Sequence, residues 1–276
     1  IVREAEFLAS SGCTELILIA QDVTAYGEDL YGEPALPQLL KKLCRIDGIH
    51  WIRLLYCYED EITDELIETI RSEEKICNYI DIPLQHVSDD VLSAMNRRST
   101  SESIRSTIKK LRKEIPDIHI RTTFIAGFPG ESEEDFEELA DFLEEARFDR
   151  MGVFAYSQEE NTLAGDMERQ LDEETKIRRR DELMEIQRNI SLENNIGKVG
   201  SICEVIVDER EEDGTYLGRT RFDAPEIDDG VIFTSCRDLV PGQYVYVEIT
   251  DAFDYDLSGK ETEHPQGEPA KDRTER

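Results

Sequence analysis

Polar side chains stand at the ends of several short apolar runs of this sequence, where they could bind one small molecule together. Amide, carboxylate and guanidinium groups supply donors and acceptors, and glycines let a ligand approach the backbone closely. Such a set suits a zwitterionic, nucleotide-like ligand. The candidates are Gln21, Asp22, Gln85, Arg121, Gly127, Gly130 and Glu131.

The apolar runs that carry these residues are rich in Ile, Leu, Phe and Tyr, which is typical of strands buried on both faces. Amphipathic segments separate them, and this alternation predicts a parallel sheet with helical crossovers. In an α/β barrel the site lies at the carboxyl ends of the strands. All the candidates follow a run except Arg121, which lies on one. The runs are residues 15–20, 51–56, 79–84, 119–126 and 150–156.

Three of the helices have legible start signals. Thr63 is expected to cap one helix, and Ser132 with Asp135 resembles a capping box before another. Asp172 is expected to open a long charged helix that runs to about residue 194. Five strands are visible, and one preceding strand would make six. We therefore predict an α/β fold, a partial (β/α)6 barrel over residues 1–195.

The pattern changes after this barrel, because turn signals now separate short strands. Residues 196–258 are expected to form a small all-β module of OB-like type. Residues 259–276 have Ala270 as their only apolar residue and are predicted to be a disordered tail. The predicted strands of the module are residues 201–207, 216–222, 231–234 and 244–250.

The composition excludes two classes of protein. Lys and Arg number 32 against 63 Asp and Glu, and a net charge of −31 does not suit non-specific nucleic-acid binding. No apolar run approaches the ~18 residues of a membrane span, and there is no signal-peptide pattern, so we expect a cytoplasmic protein without a membrane partner. The chain opens inside a predicted helix without an initiator Met, which suggests that it begins part-way through a longer protein.

The six cysteines lie far apart, and none pair as C-x-x-C or in the C-x-x-x-C-x-x-C spacing that holds an iron–sulfur cluster. Most are expected to be buried structural thiols, without disulfides. No catalytic residue and no metal ligand is predicted within this chain. The cysteines are Cys13, Cys44, Cys57, Cys77, Cys203 and Cys236.

Three segments of the barrel portion resemble methylthiotransferases of the radical S-adenosylmethionine superfamily. They are residues 18–27 (LIAQDVTAYG), the run DIPLQH at 81–86 with LSAMNRR at 92–98, and residues 121–131 (RTTFIAGFPGE). Their order and spacing cover nearly the whole barrel portion. The second module resembles a TRAM domain.

The resemblance implies S-adenosylmethionine as cofactor and two 4Fe–4S clusters. In the family, one cluster sits on a three-cysteine loop after the first barrel strand and reduces S-adenosylmethionine to a 5′-deoxyadenosyl radical. The other, in an N-terminal domain, takes part in sulfur supply, and a second S-adenosylmethionine gives the methyl group. Neither set of cluster ligands is present here, so we expect this chain to be inactive alone. By position, the cofactor would be lined by Gln21, Asp22, Gln85 and Arg121, with Gly127, Gly130 and Glu131 shaping its adenine side.

The chain departs from the family pattern at residues 159–164, where EENTLA stands in place of E-E-G-T-P-A. Asn161 can replace the glycine because Asn tolerates a left-handed backbone better than most residues. Leu163 in place of proline is expected to loosen the loop.

The second module should distinguish the two substrates that the family modifies, an adenosine in tRNA or an aspartate of a small-subunit ribosomal protein. Over residues 197–258 it carries five Lys and Arg against fifteen Asp and Glu, a net charge of −10. That surface would repel RNA and attract a basic ribosomal protein, so direct RNA binding is not expected.

Residues 218–228 (GRTRFDAPEID) are also similar to a run specific to the RimO group, which modifies the ribosomal protein at the β-carbon of its aspartate. Our hypothesis is that Asp223, Glu226 and Asp228 help to hold the basic substrate.

Two alternatives remain open at this point. A methylthiotransferase acting on tRNA adenosine would share the barrel motifs but should carry a basic module. A non-catalytic protein, in which a decayed barrel presents an acidic TRAM surface, would also lack cluster cysteines.

Overall fold

The structure, a computed structural model, describes residues 1–263. The chain forms two compact units, and the first spans Ile1–Ser191. The second begins at Leu192, four residues before the predicted boundary. Among the described residues, no helix is both long enough and apolar enough to cross a membrane.

The first unit is built on a five-stranded sheet whose strands are all parallel and lie in chain order. The five predicted strands are confirmed, as is the α/β fold class. The strands are β1 (Glu15–Leu18), β2 (Trp51–Leu54), β3 (Ile76–Gln85), β4 (His119–Ala126) and β5 (Arg150–Ala155).

Helices connect the strands, and their apolar residues pack with one face of the sheet into a single core. A short 3-10 helix, Glu59–Glu61, follows β2. The α-helices are α1 (Val2–Ser10), α2 (Glu28–Tyr31), α3 (Leu36–Leu43), α4 (Asp64–Ser72), α5 (Asp89–Ala94), α6 (Ser101–Glu114), α7 (Glu133–Ala146) and α8 (Glu173–Ile196).

The two faces of the sheet differ in chemistry because alternate residues of a strand point to opposite sides. On β4, Ile120, Thr122 and Phe124 are buried, and Ile120 and Phe124 belong to the core. Their neighbours on the other face include Arg121, which is in register with Asp81 of β3 and Arg150 of β5. The sheet therefore presents charged groups on the face opposite to its apolar core.

The predicted helix starts are confirmed. The hydroxyl of Thr63 accepts the N–H of Leu66 at the start of α4, and Ser132 and Asp135 form a reciprocal capping box at the start of α7. The carboxylate of Asp172 accepts the N–H of Thr175 at 2.8 Å. These caps satisfy backbone donors that have no partner within their own helix.

The second unit contains a closed barrel of five strands in the order β10-β8-β7-β6-β9. Its core consists mainly of inward-facing Val, Ile, Leu, Tyr and Phe side chains. The strands are β6 (Ile202–Arg210), β7 (Tyr216–Thr220), β8 (Val231–Thr234), β9 (Tyr244–Ala252) and β10 (Leu257–Thr262).

The predicted boundary of the tail at residue 259 is wrong, because residues 259–262 belong to β10. This strand pairs with β8 on one side and β9 on the other. Gly259 permits the approach, since a Cβ there would lie 2.5 Å from the carbonyl oxygen of Glu248. Pairing on both edges thus forms a strand from a polar sequence. The rest of the predicted tail, from residue 264, lies outside the described residues.

We predict that Thr63→Ala lowers the free energy of unfolding by about 1 kcal/mol, because α4 loses its N-cap. Urea denaturation followed by circular dichroism measures the change. Ser72→Ala, at the exposed last residue of the same helix, is the matched control and should change stability by less than about 0.5 kcal/mol. Equal effects of the two substitutions would contradict the capping role.

Candidate functional site

The carboxyl ends of the five parallel strands share one edge of the sheet, and most of the candidate residues follow them. Gln21 and Asp22 lie after β1, and Gln85 is the last residue of β3. Gly127, Gly130 and Glu131 follow β4, while Arg121 lies within it. Strand order therefore places the predicted set along one edge of one sheet, except for Arg121, which is the third of the eight residues of β4 and lies nearer the opposite edge.

The carboxylate of Asp22 shapes the turn after β1. Its Oδ1 accepts the backbone N–H of Thr24 at 2.9 Å and also the Thr24 hydroxyl. The Thr24 oxygen in turn accepts the N–H of Tyr58 at 3.4 Å, which ties this turn to the segment after β2. Gln21 is exposed beside it. Asp22 is thus a turn-forming residue, whatever it contacts in addition.

Asp81 of β3 is a buried carboxylate that sequence reasoning did not single out. Its Oδ2 accepts the N–H of Tyr56 at 3.1 Å, and its Oδ1 lies 4.0 Å from the Nε of Arg121. The Arg121 side chain keeps 18% of its surface exposed. The one available signal was a carboxylate within the otherwise apolar run Tyr-Ile-Asp-Ile, which is costly unless it is paired.

The thiol of Cys57 lies between these acidic groups. Burial raises its pKa well above the usual range, and the negative charges of Asp81 and Asp22 raise it further. Because the thiolate is the form that ligates metal, this cysteine is a poor ligand. Within residues 1–263, no group of His, Cys, Asp and Glu could hold a metal ion.

Glu131 organises the loop that follows β4. Its Oε2 accepts the backbone N–H groups of Gly127 at 2.8 Å and Phe128 at 3.3 Å. Its Oε1 accepts from the guanidinium of Arg179 in α8 at 2.7 Å. The Glu131 side chain is fully buried, so it shapes this loop from within.

The glycines of the same loop have positive φ angles, 78° at Gly127 and 88° at Gly130. A Cβ on Gly127 would lie 2.5 Å from Lys176 Cγ, and one on Gly130 would lie 2.8 Å from the Arg169 guanidinium. Both positions therefore need glycine for two reasons. The backbone is left-handed, and a basic side chain from a later segment fills the space that a Cβ would take.

His86 is a structural residue of this network. Its Nδ1 accepts the N–H of Ser88 at 3.0 Å, so the hydrogen-bond pattern places the proton on Nε2, 3.5 Å from Glu131. The Ser88 hydroxyl lies 2.5 Å from the carboxylate of Asp135, the capping-box residue of α7. The loops after β3 and β4 are thus joined by buried polar contacts.

Sequence reasoning missed the basic residues that α8 contributes. Arg179 and Lys176 are both buried, and Lys176 lies 5.3 Å above the ring of Tyr156. Arg179 is flanked by Arg178 and Arg180, so this part of the sequence is typical of a solvent-exposed helix face. Only the rotation of α8 against the sheet distinguishes Arg179 from its neighbours, and no sequence pattern indicates that rotation.

The segment that departs from the family pattern is held by local hydrogen bonds. Asn161 has φ 62°, as expected of a replacement for glycine. The Thr162 hydroxyl donates to the Glu159 carbonyl at 2.8 Å and accepts the N–H of Gly165 at 3.0 Å. Leu163 is 88% exposed at the tip of this turn.

The acidic loop of the second unit is braced from within. Asp223 is buried and accepts the N–H and hydroxyl of Thr220 at 3.1 and 2.6 Å. Asp228 accepts the N–H of Ala224 at 2.8 Å, whereas Glu226 is exposed with φ 67°. The carboxylate of Asp223 therefore serves its own loop, and the part of Asp223 in holding the basic substrate stays a prediction.

Two parts of the chain match known protein families. Residues 1–143 match the Radical SAM superfamily, and residues 199–261 match the TRAM domain. The chain therefore belongs to the Radical SAM superfamily, as its strand-end motifs suggested.

Comparison with individual proteins identifies a narrower group of relatives within this superfamily. The chain is 53% identical over 261 residues to "Ribosomal protein uS12 methylthiotransferase RimO" of Lachnoclostridium phytofermentans, which covers 94% of this chain and 59% of the relative. The RimO of Clostridioides difficile is 51% identical over 259 residues, with 94% and 58% covered. The chain thus spans less than two thirds of their length, and the resemblance to RimO is confirmed over both units.

Among solved structures, the radical S-adenosylmethionine methyltransferase TsrM from Kitasatospora setae is similar over 56% of this chain and 30% of its own. The TM-score is 0.45 and the sequence identity is 17%, so the structural similarity is weak.

The candidate residues fit S-adenosylmethionine, a zwitterion with an adenosine group. Gln21 and Gln85 offer amides, and the partly exposed Arg121 offers a guanidinium that can pair with a carboxylate. The thiols do not fit an iron–sulfur cluster, because Cys44, Cys57 and Cys77 are buried and the other three are scattered.

We predict that Glu131→Gln lowers the free energy of unfolding by about 3 kcal/mol, because it removes the only fully buried carboxylate beside Arg179 among the described residues and leaves the half-exposed Glu133 as its partner. Urea denaturation measures the loss. Glu133→Gln is the matched control, since Glu133 also accepts from Arg179 at 2.7 Å but is 52% exposed. Its loss should stay below about 1 kcal/mol. A smaller loss for Glu131→Gln than for the control would contradict the central role of Glu131.

Proposed function

We propose that the protein containing this chain is a methylthiotransferase that adds a methylthio group to the β-carbon of an aspartate of a small-subunit ribosomal protein. The observation that carries the proposal is identity of about half the residues to uS12 methylthiotransferases, continuous through both units. That continuity favours this substrate over tRNA adenosine and over a decayed barrel. We place the reaction in the cytoplasm, where ribosomal proteins are found.

S-adenosylmethionine, when bound, would supply the radical chemistry and the methyl group. Gln21 and Gln85 at the carboxyl edge of the sheet, together with Arg121 on β4, would hold its polar groups. The backbone N–H groups of Gly127 and Phe128 are occupied by Glu131, so they fix the shape of the loop beside the adenine. The two 4Fe–4S clusters of the family would be held by cysteines outside this chain.

The basic ribosomal protein would be attracted by the acidic second unit. A net charge of −10 over residues 197–258 favours encounter with a cationic partner and disfavours RNA. Glu226 is the exposed carboxylate at the tip of the 220–228 loop, while Asp223 and Asp228 hold that loop in shape. Recognition would then rest on Glu226, positioned by its two acidic neighbours in sequence.

The complete gene product that contains this chain, with clusters reconstituted anaerobically, should methylthiolate the ribosomal protein. It is incubated with S-adenosylmethionine, a reductant, a sulfur source and purified uS12, and the substrate is then weighed by mass spectrometry. A gain of one methylthio group in place of hydrogen on one aspartate is the expected result. Methylthio-adenosine in tRNA instead, or no product on either substrate, would overturn the proposal.

Glu226→Lys should weaken binding of uS12 about fivefold, because a charge at the contact is reversed. Isothermal titration calorimetry at constant ionic strength measures the affinity. Glu212→Lys makes the same charge change at an exposed position of the turn between β6 and β7 and should have a smaller effect. Equal weakening by both variants would show that only net charge matters and would remove the specific role of Glu226.

A further inference from the structure

Tyr56 has an unusual backbone conformation for an aromatic residue. It lies two residues beyond β2, at the carboxyl edge of the sheet, with φ 59° in the left-handed region. That region disfavours residues with a Cβ and is the usual place of glycine. A bulky non-glycine residue kept there points to a function of its side chain.

The backbone around Tyr56 is fixed by neighbours on both sides. Its N–H donates to Asp81 Oδ2 at 3.1 Å, and its carbonyl accepts the N–H of Val23 at 3.0 Å. The N–H of Cys57 donates to the Asp81 carbonyl at 2.8 Å. Three hydrogen bonds to β3 and to the turn after β1 therefore over-determine this conformation and set the position of the ring.

The ring itself is not used by the described part of the chain. Tyr56 is 44% exposed, and within residues 1–263 its side chain makes no hydrogen bond or ring contact. On one side lies the turn carrying Gln21 and Asp22, and on the other the strand that ends in Gln85. The backbone of Tyr56 thus lies between two segments proposed to bind S-adenosylmethionine.

Negative charge lies close to Tyr56, because Asp81 Oδ2 is 3.1 Å from its N–H, and the Arg121 guanidinium 4.0 Å from the other Asp81 oxygen offsets part of that charge. The carboxylates of Asp22 and Asp81 both act on Cys57, the residue after Tyr56, where they add to the effect of burial in raising the pKa of its thiol. An aromatic face attracts cations, and a negative local field adds to that attraction.

We propose that Tyr56 is a cofactor-binding residue whose ring contacts the positively charged sulfonium of S-adenosylmethionine. The inference rests on the proposed function and extends it by assigning the sulfonium group of the cofactor to one side chain.

Arg147→Gly offers a control, because Arg147 also has a left-handed backbone (φ 48°) but lies at the end of α7, remote in sequence from the candidate residues.

The test compares S-adenosylmethionine with S-adenosylhomocysteine, which lacks the sulfonium charge. Both affinities are measured by equilibrium dialysis on the complete, cluster-loaded gene product. Tyr56→Gly should weaken binding of S-adenosylmethionine about tenfold and leave that of S-adenosylhomocysteine within about twofold. Tyr56→Phe, which keeps the ring, should retain both affinities. Arg147→Gly should also leave both unchanged.

Thermal unfolding keeps the result interpretable. The Tm of Tyr56→Gly should be no lower than that of the unaltered protein, because glycine accepts this backbone without strain. An unchanged affinity for S-adenosylmethionine, or equal weakening toward both ligands, would overturn the inference and leave the proposed function intact. Failure of the unaltered protein to bind S-adenosylmethionine would overturn the proposed function and this inference together.

Discussion

The buried ion pair between Glu131 and Arg179 is the interaction on which the site edge most depends. Removing two charges from water is expensive, and the attraction between them repays that only when the remaining hydrogen-bond capacity is satisfied. Here the second oxygen of Glu131 accepts the two loop N–H groups of Gly127 and Phe128. One carboxylate therefore fixes a loop after β4 and holds α8 against it.

Glycine and charge act together at this junction. Gly127 has no side chain, and Lys176 of α8 occupies the space that a Cβ would need. The close approach of α8 then buries Arg179 near Glu131. Helix α8, which begins about forty residues later in the sequence, consequently holds the loop after β4 in one conformation. Such rigidity is what a binding edge requires if its polar groups are to be in place before the ligand arrives.

The elements of the first unit could be predicted because local signals agreed with the tertiary arrangement. Apolar runs marked the strands, and Thr63, Ser132 and Asp172 marked helix starts through hydrogen bonds that span only a few residues. The candidate edge also followed, because parallel strands bring their carboxyl ends together. The individual contacts did not follow, since the burial of Asp81 and Arg179 depends on packing between distant segments.

In the second unit, amino-acid composition alone was a poor guide to the roles of individual residues. Asp223 and Asp228 looked like surface charges in an acidic loop, yet both carboxylates accept hydrogen bonds from their own turn. Short polar side chains often bond to nearby backbone groups, and sequence alone does not separate that use from recognition. The strand β10 was missed for a related reason, because its polar residues are ordered by partners on two sides.

The double pairing of β10 also determines where this protein can be shortened. Ending the chain at residue 258 would remove most of β10 and leave β8 and β9 each with an open edge. Unpaired strand edges are templates for association between molecules. A shortened variant would then tend to aggregate through its barrel even though every buried residue of the apolar core, Leu257 included, remained in the chain.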